Sequence, residues 1–331
     1  MRYFLFLLIL LSPNPVVADT AAQIKTGIFT TVFDQRSPLS NPDAMVEITH
    51  RPNDKIADYA LKDHTFQMVV PEEYDGSEAF GLLVFIHPNS AIDTDRFYGR
   101  VIKDVLAKHK LIWVSYDKAG NDIAPNVRLG LALDAVHNVT QQYRIDENHI
   151  YASGLSGGGR MTCMAGIYYP QVFTGAVPIV GTLYFRDVKL PENPELRALI
   201  KPDPPEGVVA WPRGLLKPSA STLRQMKKEQ RWVLLAGETD YNMPQMRAHY
   251  EQGFKHDGFE QAQYLEVKGM GQTYPEANWY DKALEILRQG DQKTDDKADE
   301  PADERTQRNA QRRLEVALRT LSRDHDRGVR A

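Results

Sequence analysis

Three observations on this 331-residue chain predict an α/β fold with a mostly parallel central sheet and helices on both faces. Short apolar runs and helical stretches alternate between residues 64 and 289, the pattern that right-handed crossovers produce. Several runs, such as Gly81-Leu-Leu-Val-Phe-Ile86, are continuously apolar, as strands covered on both faces are. One run, His149–Ser153, enters a Gly-rich turn and leaves directly into an apolar helix.

Taken in order, the chain opens on Arg2, an apolar stretch from Tyr3 to Leu11 and the small-residue site Val16-Val17-Ala18. That is the pattern of an export signal at residues 1–18, too short to span a bilayer. The reading places the mature protein in the periplasm or outside the cell. Residues 19–63 form a polar, Pro-containing segment for which little structure is expected. Thr65 to Pro71 alternates as an edge strand would, with Phe66, Met68 and Val70 on one face. Asp75-Gly76-Ser77 turns into the Gly81–Ile86 strand. Asp93 to Lys110 reads as a helix with Tyr98, Val101, Ile102, Val105 and Leu106 on one stripe. Strand Leu111 to Tyr116 follows, then a helix from Pro125 to Tyr143 that begins with Pro in its first turn. After strand His149–Ser153 come helix Gly158–Tyr169 and strand Gly175–Val180. Strand Trp232–Ala236, helix Gln245–His256, strand Tyr264–Val267 and helix Glu276–Leu287 complete the series.

Two stretches break the alternation. Residues 181–216 are Pro-rich and carry Tyr184, Phe185 and Trp211, a composition that fits either a lid-like insertion or a packed surface excursion. After Gly290 the chain turns acidic and poor in apolar residues, and then basic from Arg305 to Arg323, with Leu314, Leu318 and Leu321 on a narrow stripe. This 290–331 tail reads as a charged appendage with a short basic helix whose partner, if any, is not specified.

A net charge of -4 provides no electrostatic footprint for nucleic acid. No metal-ligand spacing or cofactor motif is visible, so neither metal nor cofactor is expected. The single cysteine, Cys163, precludes an internal disulfide and falls in the apolar helix, where it reads as a small buried hydrophobe.

Gly154-Leu155-Ser156-Gly157-Gly158 matches G-x-S-x-G, and its strand-before, helix-after context is what that motif requires of a nucleophile elbow. Small neighbours allow Ser156 strained backbone angles, and the helix N-terminus favours negative charge at its hydroxyl. Acyl transfer also needs donors for an oxyanion. The backbone N–H of Gly157 is one. The loop His87-Pro88-Asn89-Ser90 holds the other; Pro88 has no N–H, so Asn89 is the candidate. A carboxylate is expected after a later strand, and Asp240 in Gly237-Glu238-Thr239-Asp240 fits, with Glu238 as its rival.

Residues Arg144–Arg160, Tyr169–Gly181 and Gly269-Met-Gly-Gln-Thr-Tyr-Pro275, with the strand Gly81–His87, resemble the esterase and polyhydroxybutyrate-depolymerase-like group of α/β-hydrolases, which includes feruloyl and acetyl esterases. The resemblance covers most of residues 64–289 and implies an α/β-hydrolase domain acting on a small-molecule or polymeric ester through Ser156. In that group the last motif reads Gly-Met-Gly-His, with its His as general base. Here that position is Gln272. A primary amide takes up no proton near neutral pH, and losing the His of a comparable triad costs about a millionfold in turnover. Among the histidines only His87 is expected on the active edge; His109, His137, His249 and His256 fall in or at the ends of outer helices, His149 at the wrong edge of the sheet, and His50, His64 and His325 outside the core motifs. Two readings follow: a serine esterase with an unidentified base, or a catalytically inactive binding protein on a hydrolase scaffold.

Overall fold

The computed structural model of the chain describes residues 24–49, 57–90, 98–189 and 215–289. The export signal, the 290–331 tail and most of the 181–216 insertion lie outside the described residues. Eight strands form one sheet: β1 (Gly27–Thr31), β2 (Phe66–Val70), β3 (Phe80–Ile86), β4 (Leu111–Tyr116), β5 (Ile145–Leu155), β6 (Gly175–Ile179), β7 (Arg231–Gly237) and β8 (Ala262–Val267). Their spatial order is β1-β2-β4-β3-β5-β6-β7-β8. The β1–β2 and β2–β4 pairs are antiparallel, and all the others are parallel. Strands β3, β4, β6 and β7 are buried along their whole length, as their apolar runs require of a sheet covered on both faces.

The helices are α1 (Pro42–Thr49), α2 (Tyr98–Val101), α3 (Lys103–Lys108), α4 (Pro125–Gln142), α5 (Gly157–Tyr168), α6 (Ala220–Glu229), α7 (Met243–Ala248) and α8 (Ala277–Arg288). They divide the apolar side chains into two cores. One, on the α4–α5 side, includes Val127, Leu131, Met161 and Ile167. The other packs Ile102, between α2 and α3, Leu106 of α3, and Tyr280, Leu284 and Leu287 of α8 on the opposite face. Cys163 is fully buried in the first core, where burial pushes its thiol up to about 12.

Four sequence expectations need correction. The described parts of the 19–63 segment are not structureless. They add β1 to the sheet edge, and Phe33 after β1 and Met45 of α1 to the core. The cause is a buried carboxylate on α4: Asp134 accepts from Ser37 N at 2.7 Å, Ser40 Oγ at 2.6 Å and Tyr59 Oη at 2.5 Å. Strand β2 is consequently interior and buried throughout, not an edge. The expected helix over residues 93–110 is two helices that part at Ile102, its first residues lying outside those described. Finally, α6 was not foreseen, and α7 continues as a π-helical segment, His249–Lys255.

Candidate active site

Strand β5 runs into Ser156 and α5 starts one residue later. Ser156 has φ 55° and ψ -113°, a strained backbone for a residue with a side chain, costing roughly 1–3 kcal/mol. The surrounding backbone holds it there: Ser156 N donates to Ile179 O at 2.8 Å, and Arg160 N closes the first helical turn on Ser156 O at 3.1 Å. Gly158 must lack a side chain, because a Cβ there would lie 1.8 Å from Ile86 O. The turn therefore brings the N-terminus of α5 against the end of β3.

Gln272 meets Ser156 directly. Its Nε2 donates to Ser156 Oγ at 2.6 Å. The loop that carries it is clamped to the end of β7. Thr239 N donates to Met270 O at 3.0 Å, and Gly269, at φ 69°, gives its N–H to Glu238 Oε2 at 2.7 Å. Glu238 thus holds the turn before Gln272.

Asp240 is 2% exposed. Its Oδ2 accepts from Asn242 N at 3.2 Å, while Oδ1 is buried without a partner. Burial outweighs the help of Asn242 and of the Arg160 charge, and raises the carboxyl to about 6. Arg160 in turn gives Nη2 to Asn242 Oδ1 at 2.9 Å, and Asn242 Nδ2 donates to Val180 O at 2.9 Å. In a Ser-His-Asp site the acid is paired by the ring nitrogen of the base. Here that oxygen is orphaned.

On the opposite side, the loop after β3 is tied to the loop after β4. Asn121 N donates to Pro88 O at 2.8 Å and Lys118 N to Ser90 O at 2.6 Å. Asn89 is exposed on this loop. Below it, the fully buried Arg128 of α4 gives Nη2 to His87 O at 2.8 Å and Nη1 to Asn121 Oδ1 at 3.1 Å. The sequence reading missed Asn121 and Arg128. The available signal was a guanidinium inside the apolar run Val127–Leu133, since a charge is rarely fully buried unless paired.

All seven described histidines bond elsewhere than Ser156. His87 shares a hydrogen bond with Tyr274 Oη at 2.9 Å; burial, then the Arg128 charge, push it down to about 3, so it stays neutral. His249 is not on an outer surface as expected. It is buried on the π-helical segment against Thr182 Oγ1 at 2.8 Å, and burial lowers it to about 4. The partners of His64, His109, His137, His149 and His256 are Asp117 O, Asp281, Gln141, Asp146 and Asp257. His50 and His325 lie outside the described residues. Among the described residues there is no cluster able to hold a metal ion, and no helix long and apolar enough to cross a membrane.

Comparison with known proteins agrees with this architecture. The sequence profile of the prolyl oligopeptidase family matches residues 132–255, which span the elbow and β7. A stretch of 49 residues is 43% identical to poly(3-hydroxyalkanoate) depolymerase C of Paucimonas lemoignei; it is 15% of this chain and 12% of that protein. The chain therefore matches only a small part of that relative's length. Among solved structures, a ferulic acid esterase superposes with a TM-score of 0.53 at 13% identity, over 80% of this chain and all (100%) of that one. A fluorophosphonate-binding serine hydrolase F of Staphylococcus aureus gives 0.49 at 13% identity, over 80% and 98% of the two chains. The sheet order and the likeness to the ferulic acid esterase show the α/β-hydrolase fold.

Proposed function

We propose that this chain, built on the α/β-hydrolase fold, is an esterase-like protein that seats a carboxylic ester against Ser156 and hydrolyses it far more slowly than a Ser-His-Asp enzyme would. One observation carries the reading: the 2.6 Å hydrogen bond from Gln272 to Ser156 Oγ. The amide stands where a base would take the serine proton, but it donates there and cannot accept a proton.

In the reaction so read, Ser156 Oγ adds to the ester carbonyl carbon and the carbonyl π pair moves onto oxygen. Gly157 N–H and Asn89 N–H hold that oxyanion. The serine proton passes to water, and the alcohol leaves with a proton from water. A second water then hydrolyses the acyl-serine. Such a base-free site keeps only the acceleration supplied by the oxyanion donors and by binding, about 10³–10⁴ over water in a comparable triad enzyme. Asp240 has no proton to relay in this scheme.

Export belongs to the same proposal. The residues 1–18 pattern supports cleavage after Ala18 and a periplasmic or secreted product. N-terminal sequencing of the mature chain tests it; a product that keeps Met1 to Ala18 would reject it.

The decisive experiment pairs fluorophosphonate labelling of Ser156 with slow turnover of a short aryl ester, both lost in Ser156→Ala. A chain that neither labels nor turns over is not an esterase. The orphaned Oδ1 of Asp240 favours a second reading, in which the site only binds. In that case the ester binds, but its hydrolysis does not exceed background.

A further inference from the structure

We infer that the side-chain amide of Asn121 is an additional oxyanion donor, resting on the reading of Ser156 as the residue that meets an ester carbonyl. The placement is read from Gly157. A Cβ built there would lie 1.8 Å from Asn121 Oδ1, 2.5 Å from its Cγ and 2.7 Å from its Nδ2. The amide therefore lies across the first residue of α5, whose N–H has no acceptor within the helix. Gly157 is a glycine because this side chain occupies the space.

The orientation of the amide is set by its neighbour. Arg128 Nη1 approaches Asn121 Oδ1 at 3.1 Å, and a guanidinium carries only donors. The oxygen is therefore the end that meets Arg128, and it is also the atom nearest the Gly157 Cβ position, with the amide nitrogen 2.7 Å from that same position. The Arg128 bond to Oδ1 is the side-chain hydrogen bond of Asn121 among the described residues, and the residue is only half-buried. It spends its acceptor on a buried cation and holds its donor over the first residue of α5, next to Ser156 in the chain.

The support is rigid. Arg128 is fully buried and anchored at its second arm by His87 O at 2.8 Å. The Asn121 backbone is fixed to Pro88 O at 2.8 Å, and Gly120 packs against the Asn89 backbone, where a Cβ would meet Asn89 C at 2.6 Å. Arg128 is a positioning residue in this arrangement: it orders and polarises the amide. Donors held in advance in this way act on charge that develops in the transition state and need no rearrangement.

The test uses the full chain carrying Gln272→His, with a short aryl ester. Asn121→Ala in that chain is expected to lower kcat by about 10²–10³, the typical effect of one oxyanion donor, with KM changed by less than about threefold. Asn121→Asp keeps the shape and the Arg128 contact but removes the donor, so it should lose at least as much while its thermal midpoint holds. A kcat within about twofold of the parent in both variants would overturn the inference and leave the ester reading intact. If Gln272→His itself shows neither turnover nor phosphonate labelling, the ester reading fails, and the inference falls with it.

Discussion

The two sides of Ser156 are built to different standards. On the elbow side, contacts are tight: a Cβ at Gly158 would strike the Ile86 backbone oxygen at 1.8 Å, and one at Gly157 would strike the Asn121 side chain. On the acid side, β7 also meets the Gln272 loop closely, since a Cβ at Gly237 would meet Met270 O at 2.4 Å, but the turn at Gly269 is open, with nothing within 4 Å of a Cβ there, and Asp240 buries an oxygen without a partner. The elbow is held largely by main chain, whereas in the proposed reaction the acid side turns on a single side chain, at 272, which is an amide. Geometry carried by the backbone survives a substitution that chemistry carried by a side chain does not.

Four experiments press on this contrast. The largest effect is expected from Gln272→His. If the rest of the site is as ready as its geometry, ester turnover rises about a thousandfold or more; steady-state kinetics on an aryl ester would show it, and an unchanged rate would mean that the elbow side is deficient too. Next, Gly158→Ala should cost about 3 kcal/mol, as overpacking against rigid backbone does. Urea denaturation measures it, and a loss under about 1 kcal/mol would show that the elbow can yield.

Asp240 supplies the third. Its folded carboxyl is raised to about 6 by burial, so the folded chain holds this proton more tightly than the unfolded one. Its contribution to stability is fully present below the ordinary carboxyl range and is lost as pH rises from about 4 to about 6. Asp240→Asn should therefore be more stable than the parent by roughly 2 kcal/mol at pH 8 and near parity at pH 4. Denaturation at the two pH values tests this. The same measurement in Gln272→His should shrink the gain, since an imidazole would pair the carboxylate. The smallest effect belongs to Gly269→Ala. The site is open but sits at φ 69°, and the strain costs about 1 kcal/mol. A cost equal to that at Gly158 would erase the contrast.

Much of this was legible in the sequence because it is local. The elbow is a run of consecutive residues, the strands β3, β4, β6 and β7 are bounded apolar runs, and Gln272 stands in a short motif. What stayed hidden is long-range. Strand β1 is five residues of alternating exposure, and nothing near it announces that Asp134, on a distant helix, will anchor the segment that follows. Asn121 gains its place only when the loops after β3 and β4 close over α5, and His249 is buried by a π-helical turn that no periodicity foretells. The split at Ile102 was equally invisible: it turns Val101, which the periodicity puts on the buried stripe, out to 59% exposure.

Cys163 has a practical consequence. The thiol lies on α5, the helix that begins one residue beyond Ser156, and it is fully buried and held protonated. Only the thiolate reacts readily with disulfide reagents, so modification has to wait until the helix swings away from the sheet. The chain thus carries its own clock for the opening of the elbow, and the rate at which a colorimetric disulfide consumes this lone sulfur, followed with and without a phosphonate on Ser156, would time how firmly an occupied site locks the helix that bears it.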